Sequence, residues 1–126
     1  LTKDAGLLVG NWGVRGDVLR QAALLERVGK YKDALKALDP LYKAAPNRTE
    51  VMFLRARILG KAGDYGESLY LCNKLIALDT NMPDWYRMRA RALTGLGRKE
   101  QAAKDLEKAK SLGASIPDLP SIYQDK

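Results

Sequence analysis

Few side chains in this 126-residue chain could carry out chemistry, and most of those are cationic. There is no histidine, and Cys72 is the one cysteine. An intrachain disulfide, a thiolate metal cluster and a nucleophile activated by histidine are therefore excluded. No pair of carboxylates stands out from the general charge pattern. The sequence predicts no catalytic residue, no metal site and no cofactor, and it indicates a protein that is not an enzyme.

Basic residues supply the remaining chemistry, which is the recognition of anions. Lys and Arg number 22 against 15 Asp and Glu, so the net charge of +7 favours acidic partners. No apolar run approaches the about 20 residues that cross a bilayer, which predicts a soluble protein without membrane insertion. The compartment stays unknown; cytoplasm or periplasm would suit a bacterial protein. Leu1 is not a start methionine, so we expect a piece of a longer protein.

Residues of equal type recur along the chain at a spacing of 34. Glycine recurs as Gly29, Gly63 and Gly97, and small residues recur as Ala22, Ala56 and Ala90 and as Ala34, Ser68 and Ala102. Apolar residues recur as Leu25, Leu59 and Leu93, as Leu38, Cys72 and Leu106, and as Leu41, Leu75 and Ala109. Internal repetition on this scale is typical of solenoids and helical arrays.

Each repeat is predicted to be a hairpin of two helices. Apolar residues fall at helical spacing before and after each repeated glycine. The glycine stands where the first helix must end, because only glycine adopts the left-handed conformation at little cost. The small residues let the two helices approach closely. Because one hairpin cannot bury its apolar faces alone, we expect the three to stack.

The stretches FLRARILGKAGDYGESL and YRMRARALTGLGRKEQAAKDLEKAKSLG resemble tetratricopeptide repeats of the arginine-rich kind frequent in bacteria. The resemblance covers residues 15–116 and implies an all-α, right-handed solenoid of three hairpins, 15–48, 49–82 and 83–116. Residues 1–14 are then an irregular N-terminal flank and 117–126 a C-terminal tail. Pentatricopeptide repeats, which read RNA, are similar hairpins but usually have a period one residue longer, so the strict spacing of 34 argues against that family.

The resemblance also implies a binding surface. In this family the first helices of the hairpins line a concave groove that takes peptides. The residues that the alignment places there, and that we expect to bind a partner, are Arg20, Arg27, Phe53, Arg57, Lys61, Arg87, Met88 and Arg91. Six cations beside Phe53 and Met88 suit an acidic or amphipathic protein segment with an apolar anchor.

Some family members bind chaperone C-terminal carboxylates through lysines and asparagines on the first helices. At the matching places this chain has Leu19, Ala23, Leu54, Asp84 and Met88. The sequence therefore does not predict a co-chaperone of that type.

Two other functions compete with a peptide-binding scaffold. The net charge of +7 would suit a nucleic-acid binder, but aromatic residues that could stack on bases are sparse near the groove, so nucleic acid is not the expected partner. Alternatively, the repeats space or oligomerise domains of a larger protein. Their uncovered end faces could mediate self-association.

Several local predictions can be compared with the structure. Pro40 should kink or break the second helix of the first repeat, or end it at Asp39. Asp64 and Glu67 should form a capping box. Cys72 should be a buried core thiol. Arg55 and Arg89 should be structural, with packed stems and solvated head groups.

Overall fold

The computed structural model describes residues 10–114, which form six helices and, over that range, no strand. The helices are α1 (Gly10–Arg27), α2 (Tyr31–Ala44), α3 (Thr49–Ala62), α4 (Tyr65–Leu78), α5 (Pro83–Gly95) and α6 (Lys99–Ala114). They pair in order as three hairpins, and the second helix of each hairpin packs against the first helix of the next, with a smaller contact between successive first helices. The prediction of an all-α solenoid of helical hairpins is confirmed.

The turn inside each hairpin is built on the repeated glycine. Gly29, Gly63 and Gly97 have φ angles of 83°, 93° and 81°, in the left-handed region that favours glycine. The residue after each glycine donates its N–H to the carbonyl of the repeated leucine: Lys30 to Leu25 at 2.9 Å, Asp64 to Leu59 at 2.9 Å and Arg98 to Leu93 at 2.8 Å. This is the Schellman pattern, which satisfies carbonyls at a helix end. The period of 34 therefore marks the same glycine turn at the end of each first helix.

The hydrophobic core runs along the stack as clusters between successive helices. The first joins α1, α2 and α3 through Ala22, Ala34, Leu38, Val51, Leu54 and Ile58. The second joins α3, α4 and α5 through Met52, Ala56, Leu59, Leu71, Cys72, Leu75 and Trp85. The predicted small residues lie at the close helix contacts, where Ser68 Oγ donates a 2.9 Å hydrogen bond to the carbonyl of Ala56. Close approach thus leaves this buried hydroxyl satisfied.

The first helix begins earlier than predicted. Residues 10–14 belong to α1, so the predicted irregular flank is wrong for that part of residues 1–14. The three glycines in residues 6–13 lower the intrinsic helix propensity of this segment, so the sequence does not predict a helix there. Propensity is only a weak guide when a helix is fixed by its tertiary contacts. Residues 1–9 and the predicted tail 117–126 lie outside the described residues.

The second helix continues through Pro40 to Ala44, so both the predicted break and the predicted end at Asp39 are wrong. Pro40 is exposed, while Leu38 is fully buried and Leu41 packs against the same core cluster. Apolar contacts on both sides of the proline therefore hold the helix together. Because Pro40 faces solvent, water can satisfy the carbonyl that it leaves without a helical partner.

The predicted capping box at the start of α4 is absent. Asp64 occupies the N-cap position but makes no capping hydrogen bond through its side chain. Glu67 instead accepts hydrogen bonds from Arg55, at 3.1 Å from Nε and 2.9 Å from Nη2. A charged contact to the neighbouring helix has replaced the local contact that the motif predicts.

Candidate functional site

Five of the eight predicted groove residues surround one pocket between α3 and α5. The pocket has a volume of about 280 Å³ and is lined by Arg57, Lys61, Arg87, Met88 and Arg91 together with Ala56, Gly60 and Ser68. Four cationic side chains thus contribute to the lining of one concavity, together with the apolar Ala56 and Met88. Such a site can hold an anion and bury a small apolar group beside it.

A buried carboxylate lies on one side of this cationic group. Glu26 on α1 is 3% exposed, and both of its oxygens face α3. Arg57 binds it through two hydrogen bonds, Nε to Oε2 at 2.7 Å and Nη2 to Oε1 at 2.8 Å. Lys61 Nζ lies 3.0 Å from Oε2. Two cations predicted to contact a partner therefore also hold a carboxylate of the chain itself.

The charge of Glu26 is stabilised by these two partners. Burial alone would raise the pKa of this carboxyl, but the hydrogen bonds and charges of Arg57 and Lys61 together lower it below the ordinary value of 4.5. Glu26 is therefore an anion at neutral pH and ties α1 to α3.

We expect the link between α1 and α3 to weaken in acid. The unfolded chain takes up the Glu26 proton near its ordinary pKa of 4.5, before the folded chain does. The stabilisation is therefore complete above about pH 5 and is lost as the pH falls through the folded-state pKa. Urea unfolding measured between about pH 6 and pH 3 should show a steeper loss of stability for the wild type than for Glu26→Gln. Parallel curves would contradict this assignment.

The other predicted groove residues lie in different settings. Phe53 is partly buried and carries the Arg57 guanidinium 5.1 Å from its ring centroid, which orients that arginine towards Glu26. Arg20 is exposed and pairs with Asp17 at 2.9 Å, and Arg27 is exposed at the end of α1. Neither Arg20 nor Arg27 lines the pocket. The predicted surface thus separates into one pocket and an outlying basic stretch on α1.

Two of the three arginines of α5, Arg87 and Arg91, remain accessible. Arg87 Nη1 forms a 2.9 Å ion pair with Asp84 Oδ1, and both side chains are more than half exposed. For Arg91, no carboxylate among the side chains that the structure describes lies within 4.0 Å of the guanidinium. A partner carboxylate would therefore meet Arg91 without displacing any carboxylate of the described side chains.

Arg55 and Arg89 have the structural role that the sequence predicts, but their head groups are not simply solvated. Arg55 lies 4.3 Å from the centroid of the Tyr42 ring while it donates to Glu67. Arg89 binds both oxygens of the buried Asp105, at 2.7 and 2.8 Å, and hydrogen bonding to Asp105 raises the pKa of Arg89. These arginines link adjacent helices.

Cys72 is a core residue, as predicted. Its side chain is fully buried, and burial raises the pKa of the thiol to about 11. The thiol is therefore protonated at neutral pH and is neither a nucleophile nor a metal ligand there.

The family of the chain is shown by comparison with known proteins. The family model described as "Tetratricopeptide repeat" matches residues 19–83, about half of the chain. The chain belongs to the tetratricopeptide repeat family. A curated relative, the cellulose synthase operon protein C of Pseudomonas fluorescens, is 31% identical over 96 residues. That match covers 76% of this chain but 8% of the relative, so the chain corresponds to a small part of that protein.

Solved structures share this tetratricopeptide fold. The type III secretion translocator chaperone SycD of Yersinia enterocolitica has a TM-score of 0.75 at 18% identity, covering 90% of this chain and 86% of SycD. PcrH, solved with the chaperone binding region of PopB, has a TM-score of 0.73 at 19% identity, covering 83% and 85%. The first tetratricopeptide domain of Spaghetti (RPAP3), bound to the HSP90 peptide SRMEEVD, has a TM-score of 0.70 at 21% identity, covering 88% and 86%. At these identities the likeness establishes the fold.

Within residues 10–114, no helix has the length and apolar character needed to cross a membrane.

Proposed function

We propose that this chain is a protein-interaction module that binds an acidic or amphipathic segment of another protein in the groove along α3 and α5. The observation that carries the proposal is the pocket of about 280 Å³ lined by Arg57, Lys61, Arg87, Met88 and Arg91. Similar structures support it, because PcrH was solved with a region of PopB and the RPAP3 domain with a peptide whose letters include two glutamates and an aspartate.

The charge around the pocket is the physical reason to expect an acidic segment. Four cations line it, while Glu26 and Asp84 contribute two carboxylates beside it. Cations therefore remain in excess for a partner. Arginine binds carboxylates through paired hydrogen bonds, and Met88 offers an adaptable apolar surface for a neighbouring side chain.

The test is a binding measurement with charge-reversed variants. A peptide selected from a displayed random library by the wild-type chain would be labelled, and its dissociation constant would be measured by fluorescence anisotropy. We expect Arg87→Glu/Arg91→Glu to weaken binding by about 30-fold or more, since truncation of a buried charge contact in an interface costs about 2 kcal/mol or more. Arg57 is left intact in this design because it also holds Glu26.

A control variant separates local contact from general charge. Lys32→Glu/Lys36→Glu makes the same change in net charge on exposed positions of α2, away from the pocket. It should weaken binding by less than about threefold, through long-range attraction alone. Equal losses in the two double variants, or no loss in either, would overturn the groove assignment.

A further inference from the structure

The repeats place equivalent residues at two successive interfaces, and the two interfaces differ at one position. Glu26 on α1 and Gly60 on α3 occupy the same place in their repeats, 34 residues apart. Arg57 on α3 and Arg91 on α5 are likewise equivalent. The contact that joins Glu26 to Arg57 between α1 and α3 therefore corresponds to a contact between Gly60 and Arg91 between α3 and α5.

At the first interface a carboxylate fills this place. Glu26 is buried and accepts two hydrogen bonds from Arg57 and one ionic contact from Lys61, four residues further along α3. The chain itself thus shows that the geometry of its repeat can bury a carboxylate between two first helices and hold it bidentately by arginine.

At the second interface the arginine is present, and within residues 10–114 no carboxylate occupies this place. A Cβ atom at Gly60 would lie 3.4 Å from Arg91 Cδ and 3.4 Å from Ser68 Oγ, so the stem of Arg91 crosses directly over this glycine. Gly60 is inside α3 and has no positive φ, and glycine is unfavourable in a helix interior, so the turn chemistry of the other repeated glycines does not explain it. The pocket of about 280 Å³ lies beside Gly60 and Arg91.

A second cation accompanies the arginine at both interfaces. Lys61 follows Arg57 by four residues on α3, and Arg87 precedes Arg91 by four residues on α5. Residues four apart lie on one face of a helix. Both Arg87 and Arg91 line the pocket, so a carboxylate there would meet two cations. Arg87 is not the counterpart of Lys61, which corresponds to Gly95; the second cation therefore lies on the other side of the arginine along its helix.

We infer that the pocket receives one carboxylate of the bound partner at the place where Glu26 stands in the preceding repeat, with Arg91 as its bidentate donor, Arg87 as the second cation and Gly60 as the residue that leaves it room. This inference rests on the proposed function and narrows it, because it fixes which part of the acidic segment enters and where. The carboxylate comes from an acidic side chain or from a chain terminus.

The sharpest test gives the chain its own carboxylate at this place. Gly60→Glu would reproduce Glu26 one repeat later, and Gly60→Gln would add nearly the same volume without the charge. With the library-selected peptide, we expect Gly60→Glu to weaken binding at least tenfold and Gly60→Gln by less than about threefold, because only the glutamate both competes for Arg91 and repels the incoming anion. Equal effects of the two variants, or no effect of Gly60→Glu, would overturn the inference.

The source of the carboxylate is distinguished on the peptide. One series would carry an amidated C-terminus, and another would replace each Asp or Glu in turn by Asn or Gln. A loss of tenfold or more on amidation indicates a terminal carboxylate, and a similar loss at one acidic position indicates a side chain. If no single neutralisation weakens binding by more than about twofold, one seated carboxylate is contradicted.

A second measurement needs no partner. Gly60→Glu should have a melting temperature at least about 2 °C above that of Gly60→Gln, and the difference should vanish when Arg91→Gln is added to both. A difference that persists without Arg91 would contradict the assigned donor. If the wild type selects no acidic peptide, the proposed function fails. If it does select one and Arg87→Glu/Arg91→Glu releases it while Gly60→Glu does not, only this inference fails.

Discussion

Arg57→Ala should lower the free energy of unfolding by about 2 kcal/mol, whereas Arg91→Ala, at the equivalent position of the next repeat, should lower it by about 0.5 kcal/mol or less. Arg57 binds Glu26, whose side chain is 2% exposed, and removal of the Arg57 guanidinium leaves Glu26 with Lys61 alone. Removing one partner of a fully buried ion pair costs about 3–5 kcal/mol. The smaller figure applies here because Lys61 remains and Arg57 is itself 36% exposed.

Equilibrium unfolding in urea, followed by circular dichroism at neutral pH, would measure both changes. A further variant isolates the cause. Glu26→Gln/Arg57→Ala should be more stable than the sum of the two single changes predicts, since the buried charge and its partner disappear together. Equal losses for Arg57→Ala and Arg91→Ala would show that the Glu26 contact adds little to the link between α1 and α3.

Leu38→Ala should have a larger effect, a loss of about 3 kcal/mol and a fall in melting temperature of about 10 °C or more. Leu38 is fully buried in the core cluster formed by α1, α2 and α3. Truncation there removes apolar contacts and leaves a cavity that the stacked helices can close only in part.

Leu106→Ala is the matched control, because Leu106 occupies the same repeat position on α6. It is 52% exposed, as the described structure places no further hairpin against it. We expect a loss of about 1 kcal/mol or less. Comparable losses at Leu38 and Leu106 would mean that the outer face of α6 is covered in solution, for example by a second copy of the chain.

The hairpins could be predicted from sequence because their determinants are local and repeated. Gly29, Gly63 and Gly97 mark three identical helix ends, and the alanines that precede them mark close helix contacts. The family and the all-α solenoid follow from that pattern. The wrong predictions are those in which tertiary contacts override a local signal. Apolar contacts on both sides of Pro40 keep α2 continuous, and Glu67 binds Arg55 instead of capping α4.

The candidate site was only partly predictable. Repeat alignment placed Arg57, Lys61, Arg87, Met88 and Arg91 on one surface, and these five residues line one pocket. That they bind a partner stays a prediction. The alignment did not reveal that Glu26 already binds two of these cations, since the residues are far apart in sequence and meet only when α1 packs on α3. The informative signal was present in the repeat column of Glu26, Gly60 and Thr94, where a glutamate in the first repeat gives way to glycine in the second, but its meaning requires the distances between helices.

Because Cys72 is the one cysteine and is buried, its rate of alkylation can report how often the protein opens locally. Cys72 stands at the contact of α3, α4 and α5, and its thiol is fully enclosed, with a pKa of about 11. An alkylating reagent can therefore modify it only while neighbouring hairpins are apart, and the labelling rate measures how often the middle of the stack opens. Since no other cysteine competes, a tight ligand that clamps α3 to α5 would register as slower labelling without any engineered probe.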